Sequence, residues 1–397
     1  MALYDEACAL ATELSELRHS LHREPEIGLQ LPKTQAKVLA ALDGLPLEVT
    51  LGRALTSVTA VLRGARPGAT VLLRGDMDAL PVTERTGLPY ASEHDGVMHA
   101  CGHDLHTTML TGAARLLSAR QADLPGNIVF MFQPGEEGFA GARYMIEEGV
   151  LDAAGERAAA AYAVHVFSAH LPCGTIATKP GSVLAAADKL KVTVHGRGGH
   201  ASQPHSAADP IPAACEIVTA LQTFVTRGFD VFDPIVITVG SFHAGTTDNV
   251  IPDEAEFLAT IRSFSTAARA KVKEGAVRLA NEIARAHGLT ATVSYQDNYP
   301  VTVNDAAQAA FAEQTAVAFF GQDRYAAQEN PLTGAEDFSF VLEQVPGAFL
   351  SIGACPPDRD PASAAVNHSA EAAFDDSVLS DGAALYAELA LRRLAQG

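Results

Sequence analysis

Cys8, Cys101, Cys173, Cys215 and Cys355 are the only cysteines in 397 residues. They are too few and too scattered for a disulfide framework of the kind that holds small secreted domains together. No second cysteine pair exists anywhere in the chain, so a zinc ribbon is excluded as well. Positive charge is also scarce: 28 Lys and Arg against 47 Asp and Glu leave a net charge of −19. That balance argues against nucleic acid or an anionic membrane surface as a partner, and is better read as an aid to solubility. No stretch approaches the roughly 20 apolar residues of a membrane span. The opening MALYDEACALATELSEL has neither a basic start nor an apolar run. No signal peptide is therefore visible, and the cytoplasm is the expected compartment. Two catalytic signatures are missing too. There is no G-x-S-x-G elbow for a serine nucleophile, and GRGG at 196–199 lacks the lysine of a phosphate-binding loop.

What is present is a globular composition, 48% hydrophobic and 19% charged, in a chain longer than one core usually holds. Ala7, Leu10, Leu14, Leu17 and Leu21 recur at spacings of three and four and predict one helix over residues 3–23. LTSVTAVLRG, ATVLLRGDMDALP and GNIVFMFQPGEEG are short apolar runs ended by Gly, Pro or charge, and predict buried strands. Helices follow in TTMLTGAARLLSARQ and GARYMIEEGVL. Strands alternating with helices predict an α/β domain with a mixed central sheet, its functional groups gathered where the strands end.

The pattern changes near residue 185, where Leu190, Val192 and Val194 alternate with Lys191, Thr193 and His195 as in a half-exposed strand. A helix opened by DPIP, strands PIVITVGSF and EAEFLATIRSF, a helix from Thr266 to His287 and strand LTATVSYQ follow. Strand, helix, strand, strand, helix, strand is the order of a ferredoxin-like α+β sandwich. After Tyr299 the α/β character resumes, with FLSIG as a strand and LSDGAALYAELALRRL as the closing helix. The expected organisation is a domain over 1–184 and 299–397 into which a second, 185–298, is inserted.

Chemistry concentrates in five places. MHACGHDLHTT, residues 98–108, packs His99, Cys101, His103, Asp104 and His106 just ahead of a helix. Imidazole, thiolate and carboxylate in so compact a set are what a divalent cation needs. QPGEEG sets Glu136 and Glu137 side by side at the end of an apolar strand, framed by glycines, which favours a pocket over a surface pair. His165 in AYAVHVF and His368 in AAVNHSAEAAF are single histidines of the kind more often structural than ligating. RGDMDALP places Asp76 and Asp78 at another strand end, able to serve a metal as ligands or as partners of ligands. Asp76 is expected to be a cap or turn residue.

RGDMDALP, HACGHDLHTT, QPGEEG, the HV pair at His165, GGHASQPH, NVIP, GAEDFSF and the late NH pair occur in that order. Together they resemble the metal-dependent aminoacylase and carboxypeptidase family, in its N-acyl-amino-acid amidohydrolase branch of hippurate and auxin-conjugate hydrolases. The resemblance runs from REPEIG to the final helix. It implies two divalent metal ions per subunit, zinc first, with manganese, cobalt or nickel as alternatives. Cys101 would bridge them, with His103 and His165 on one and Glu137 and His368 on the other. Asp78 would orient the site and Glu136 would be the general base, passing a proton from water to the departing amine. His99 and His106 have no implied ligand role and would shape the loop. The inserted domain would be a lid and the dimerisation element of a homodimer. Its His200 would stabilise the oxyanion, and Asn249 and Arg262 would hold the substrate carboxylate. The implied activity is hydrolysis of the amide bond of N-acyl-L-amino acids. Its rivals are a dipeptidase or carboxypeptidase on the same two-metal site, and a non-catalytic metal- or ligand-binding protein.

Overall fold

The apolar runs become strands buried from both sides. In the computed structural model, which describes residues 2–396, they are β2 (Val58–Arg63), β3 (Arg66–Asp76) and β4 (Pro125–Gln133), preceded by the exposed β1 (Leu47–Leu51). β5 (Ala160–Phe167) and β6 (Ile176–Thr178) complete this stretch. Helices α1 (Ala2–Ala9), α2 (Ala11–Arg23), α3 (Pro32–Leu42) and α4 (His103–Ser118) pack with them. The single helix expected over 3–23 is two segments, because the Leu10 N–H bonds to Ala7 O at 3.1 Å and tightens the chain by a residue. Helix α4 is buried on nearly every side, as a helix between a sheet and other helices must be. It approaches β3 so closely that a Cβ on Gly75 would stand 2.8 Å from the His106 carbonyl oxygen, which is why RGD needs its glycine.

The chain splits into two units, the second formed by Leu184–Thr302 with Pro331–Glu336. Here β7 (Ala186–His195), β9 (Ile235–Ala244), β11 (Glu254–Ser263) and β12 (Thr290–Tyr299) form an antiparallel sheet in the order β9-β11-β7-β12. A two-stranded ribbon joins β8 (Gly199–His200) to β10 (Val250–Ile251). Helices α5 (Pro210–Gly228) and α6 (Thr266–Ala286) cover one face, where Ile217, Leu221, Val272 and Ala276 meet Val192, Phe257 and Ile261. Both start where the sequence signals it: Asp209 accepts from Ile211 N–H and Ser265 from Ala268 N–H, each capping a free backbone donor. This is the ferredoxin-like order read from the alternation.

Back in the first unit, α7 (Ala306–Phe320), β13 (Tyr325–Ala327), β14 (Gly347–Gly353) and α8 (Val378–Ala395) close the fold. The sheet order is β1-β2-β4-β3-β5-β14-β6-β13. β4, β3, β5 and β14 are parallel, whereas β1, β2 and β4 pair antiparallel, as do β14 and β6. The result is the mixed α/β sheet expected, and its four parallel strands end on the same edge. Among the described residues no helix is long and apolar enough to cross a membrane.

A buried ion pair ties the helices together behind that edge. Arg18 of α2 donates from Nε to Asp104 of α4 at 2.8 Å and from Nη1 to Asp376, before α8, at 2.9 Å. Neither Arg18 nor the Asp104 side chain is exposed, and His22 adds a second contact to Asp104 at 2.8 Å. Arg18→Met would leave two carboxylates without their main partner. It is expected to cost about 3–5 kcal/mol, since removing one member strands the other buried charge. Urea unfolding measures this; a loss below about 1 kcal/mol would mean that His22 alone suffices to hold Asp104.

Candidate metal centre

The groups that the motifs singled out in the first unit lie at or beyond the ends of strands of the parallel set. Asp78 lies two residues past β3 and the Glu136–Glu137 pair just past β4. His165 sits near the end of β5, and His368 in the loop between β14 and α8. His103 opens α4, and Cys101 stands just before its N-cap Gly102. Crossover connections bring such loops to one edge of the sheet. The Cys101 Sγ lies 3.4 Å from His165 Nε2 and 3.3 Å from His368 Nε2. His368 Nε2 is in turn 3.1 Å from Glu137 Oε1, and His103 Nε2 stands 4.0 Å from the same oxygen. Two triads result, each with its donor atoms within 4.8 Å of one another: Cys101, His103 and His165, and Cys101, Glu137 and His368. Cys101 belongs to both.

The turn that presents the glutamates is locked from below. Gly135 has φ 75°, a left-handed conformation that turns the chain sharply out of β4. The two carboxylate oxygens of Asp78 then accept the backbone N–H groups of Glu136 at 2.9 Å and Glu137 at 3.0 Å. Glu137 thereby faces Cys101 and His368, while Glu136, which is buried, lies with Glu137 and His103 in a third close group.

A second layer orients the imidazoles. Asp76 is fully buried and accepts from His106 Nδ1 at 2.6 Å and from Arg74 at 2.7 Å. It is therefore no cap or turn residue, contrary to the expectation for it. Positions i and i+2 of an extended chain share a face, and the D-x-D spacing thus carried the signal that Asp76 points inward with Asp78. With its proton on Nδ1, His106 uses the Nε2 lone pair to accept the Val166 N–H at 2.8 Å. That lone pair is taken, so His106 holds the end of β5 and is not a ligand. His165 donates from Nδ1 to the Val166 carbonyl at 2.8 Å, which leaves Nε2 unprotonated and facing Cys101. His99 is buried without a hydrogen bond to either ring nitrogen among the described residues, and burial holds its imidazole down at about 3, hence neutral.

The charges follow from these contacts. Burial pushes the Asp76 carboxyl up, but Arg74, His103 and His106 outweigh it and hold it well below the usual range. Burial, helped by His106, keeps His165 well below the usual histidine range and so neutral. Burial also pulls His103 down, but Asp76 and Cys101 prevail and raise it well above. Hydrogen bonds to Cys101 and Glu137 push His368 up to about 10.

Two divalent cations fit this donor set. His103 and Glu137 each share a triad with Cys101 Sγ; both His103 ring nitrogens are buried without a hydrogen-bond partner among the described residues, and Glu137 Oε1 meets His368 Nε2, itself a candidate ligand atom, at 3.1 Å. Orphaned nitrogen donors beside a carboxylate and a thiol are what a borderline-soft cation satisfies.

His200, Asn249 and Arg262 lie in the second unit. His200 is exposed on β8, next to Asn249, whose carbonyl accepts from Ala201 N–H at 3.1 Å. The Ser202 backbone N–H points at His200 Nδ1 at 3.2 Å, so the neutral ring carries its proton on Nε2. Arg262 is half-buried on β11 between the inward-facing Ile261 and Ser263, hence on the sheet face away from the helices.

A mixed α/β fold whose parallel strands end in two such triads defines a metal-dependent hydrolase class. The model of "Peptidase family M20/M25/M40" matches residues 72–392, and the chain belongs to that family. It is 37% identical over 383 residues to Thermostable carboxypeptidase 1 of Saccharolobus solfataricus, covering 95% of this chain and 94% of that one. It is 34% identical over 398 residues to the hippurate hydrolase of Campylobacter jejuni, covering 99% and 100%. Among solved structures it resembles a dinuclear metal-binding M20 peptidase of Bacillus subtilis, with a TM-score of 0.83 and 34% identity over 98% of this chain and 99% of that one.

Proposed function

We propose that this metal-dependent amidohydrolase cleaves the amide bond of N-acyl-L-amino acids bearing a free α-carboxylate, releasing a carboxylic acid and the amino acid. The observation that carries the reading is Glu136, a buried carboxylate beside the candidate ligands His103 and Glu137 yet outside both Cys101 triads. Cys101, His103 and His165 would hold one cation and Cys101, Glu137 and His368 the other, zinc being preferred by a thiolate and imidazoles, with manganese, cobalt or nickel able to substitute. When bound, such cations polarise a carbonyl and acidify water. Glu136 takes the proton of the attacking water and returns it to the amine nitrogen as the bond breaks. Asp78 keeps the Glu136 and Glu137 backbones fixed while that proton moves. His200, with its proton on Nε2, is suited to donate to the developing oxyanion. The hippurate hydrolase among the relatives supports an acyl substrate.

The carboxypeptidase among the relatives supports a second reading, a peptidase on the same site. Substrates separate the two. N-acyl amino acids should turn over well and free-amine dipeptides poorly; cleavage of the dipeptides alone would sink the first reading. Arg262 and Asn249 are assigned to the substrate carboxylate, because a guanidinium grips it through two parallel bonds and a carboxamide offers one acceptor. Arg262→Ala should therefore raise KM for the acid by roughly 10- to 100-fold, the range of a charge-assisted contact of about 1.5–3 kcal/mol, and hardly change it for the carboxamide. Equal losses on both would place carboxylate recognition elsewhere.

A further inference from the structure

Asn367, the first member of the late NH pair, takes no part in the chemistry proposed above, yet its amide is fully engaged. Nδ2 donates to the Val166 carbonyl at 3.0 Å and to the Cys101 carbonyl at 3.2 Å. Oδ1 accepts from the Ser168 backbone N–H at 2.9 Å and shares the Ser168 Oγ hydrogen, at 3.0 Å, with the Ala365 carbonyl at 2.8 Å. Carbonyl oxygens only accept and a backbone N–H only donates, so these partners dictate which way the amide faces. Both carbonyl partners belong to or adjoin a candidate ligand. One carbonyl is that of Cys101 itself, the donor common to both triads. The other, of Val166, also accepts the Nδ1–H of His165. Asn367 in turn precedes His368, which has φ 70°, a left-handed conformation unusual for any residue but glycine. A backbone in that state has to be held there from outside. The His368 N–H bond to Ala100 O at 2.8 Å is one tie, and the four bonds of Asn367 are the others. Three segments separated by more than 60 residues at each step thus meet on one side chain.

We propose that Asn367 is the positioning residue that sets the spacing of Cys101, His165 and His368, and so determines divalent-metal affinity without touching the metal. The inference rests on the reading of those three as ligands. Donor atoms bind well only where their separation matches the cation, and the residues that orient ligands typically change affinity 10- to 100-fold when altered. Asn367→Asp keeps the shape but turns an oxygen toward two carbonyl oxygens, exchanging two attractive contacts for repulsion. Asn367→Ala removes all of the amide's contacts, including the approach of Nδ2 to Cys101 Sγ at 3.9 Å, and adds no charge.

The test is a titration of the chelator-stripped full-length protein with cobalt(II) alone, followed by absorption and by competition with a chromophoric chelator. The unsubstituted protein should develop a thiolate-to-cobalt charge-transfer band; its absence would defeat the ligand reading itself. Both Asn367 variants should bind cobalt about tenfold or more weakly, with an altered band and unchanged far-UV circular dichroism. Native affinity and a native band in both would overturn the role of Asn367 and leave the ligand reading intact. Should they fail to fold, Ser168→Ala decides. It removes the Oγ contact to Oδ1, and with it the Oγ bond to the Ala365 carbonyl at 2.8 Å, while Asn367 keeps its other partners, and should weaken cobalt binding about threefold; native affinity there also overturns the inference.

Discussion

Glu136→Gln is expected to lower kcat about 10²- to 10⁴-fold, the contribution of a positioned general acid–base, while metal content stays near that of the parent. Glu137→Gln is expected to lose metal first and activity as a consequence. The contrast comes from one turn. Asp78 accepts the backbone N–H of both residues, so neither substitution disturbs the backbone that presents the side chains. Glu137 Oε1 lies 3.1 Å from His368 and in the triad with Cys101; Glu136 lies outside both Cys101 triads. An amide at 137 replaces an anionic donor with a neutral one. At 136 it preserves size and polarity but has no lone pair basic enough to take a proton from water. Elemental analysis alongside single-turnover rates separates the two effects. If both variants lost metal to the same degree, the division of labour between the two glutamates would be wrong.

The central architecture was legible because its signals are local. Apolar runs such as TVLLRG and NIVFMF have no alternation and can only be strands covered on both faces, whereas Leu190, Val192 and Val194 alternate and mark a sheet covered on one. Strand β1 escaped notice because LEVTL lies at an exposed edge, where burial imposes no pattern. The break at Leu10 escaped because the apolar spacing persists across it, with Leu14 N–H still bonded to Leu10 O at 2.9 Å. The candidate ligands could be named from residue type and family resemblance, but their convergence is a property of strand order. His368 reaches Cys101 only because β14 lies beside β5 in the sheet. The supporting layer was the least legible part. Asp76 acts through the His106 ring, and His106 and Asn367 act through backbone groups of Val166, Cys101 and Ser168; a backbone group leaves no trace in the residue type at its position.

Chelation is expected to abolish activity completely, and a divalent cation to restore it, with proton release accompanying the uptake. Cys101 binds a cation as thiolate and the three histidines bind through neutral nitrogens, so protons and cations compete for the same lone pairs. His368, raised to about 10 by Cys101 and Glu137, holds its proton at pH 7 and must give it up when a cation arrives. His103, raised well above the usual histidine range by Asp76 and Cys101, adds to the release. His165 adds nothing, because burial and His106 already keep it neutral. The sign follows: apparent metal affinity rises with pH up to the raised values and falls as pH drops below neutrality, making extraction by chelator easier in mild acid. Titration calorimetry in two buffers of different ionisation enthalpy counts the protons directly. Full turnover in protein shown by elemental analysis to contain no metal would refute the metal centre. Uptake at pH 7 without proton release would show instead that His368 and His103 are neutral before the cation arrives, and that the Cys101 contact does not charge them.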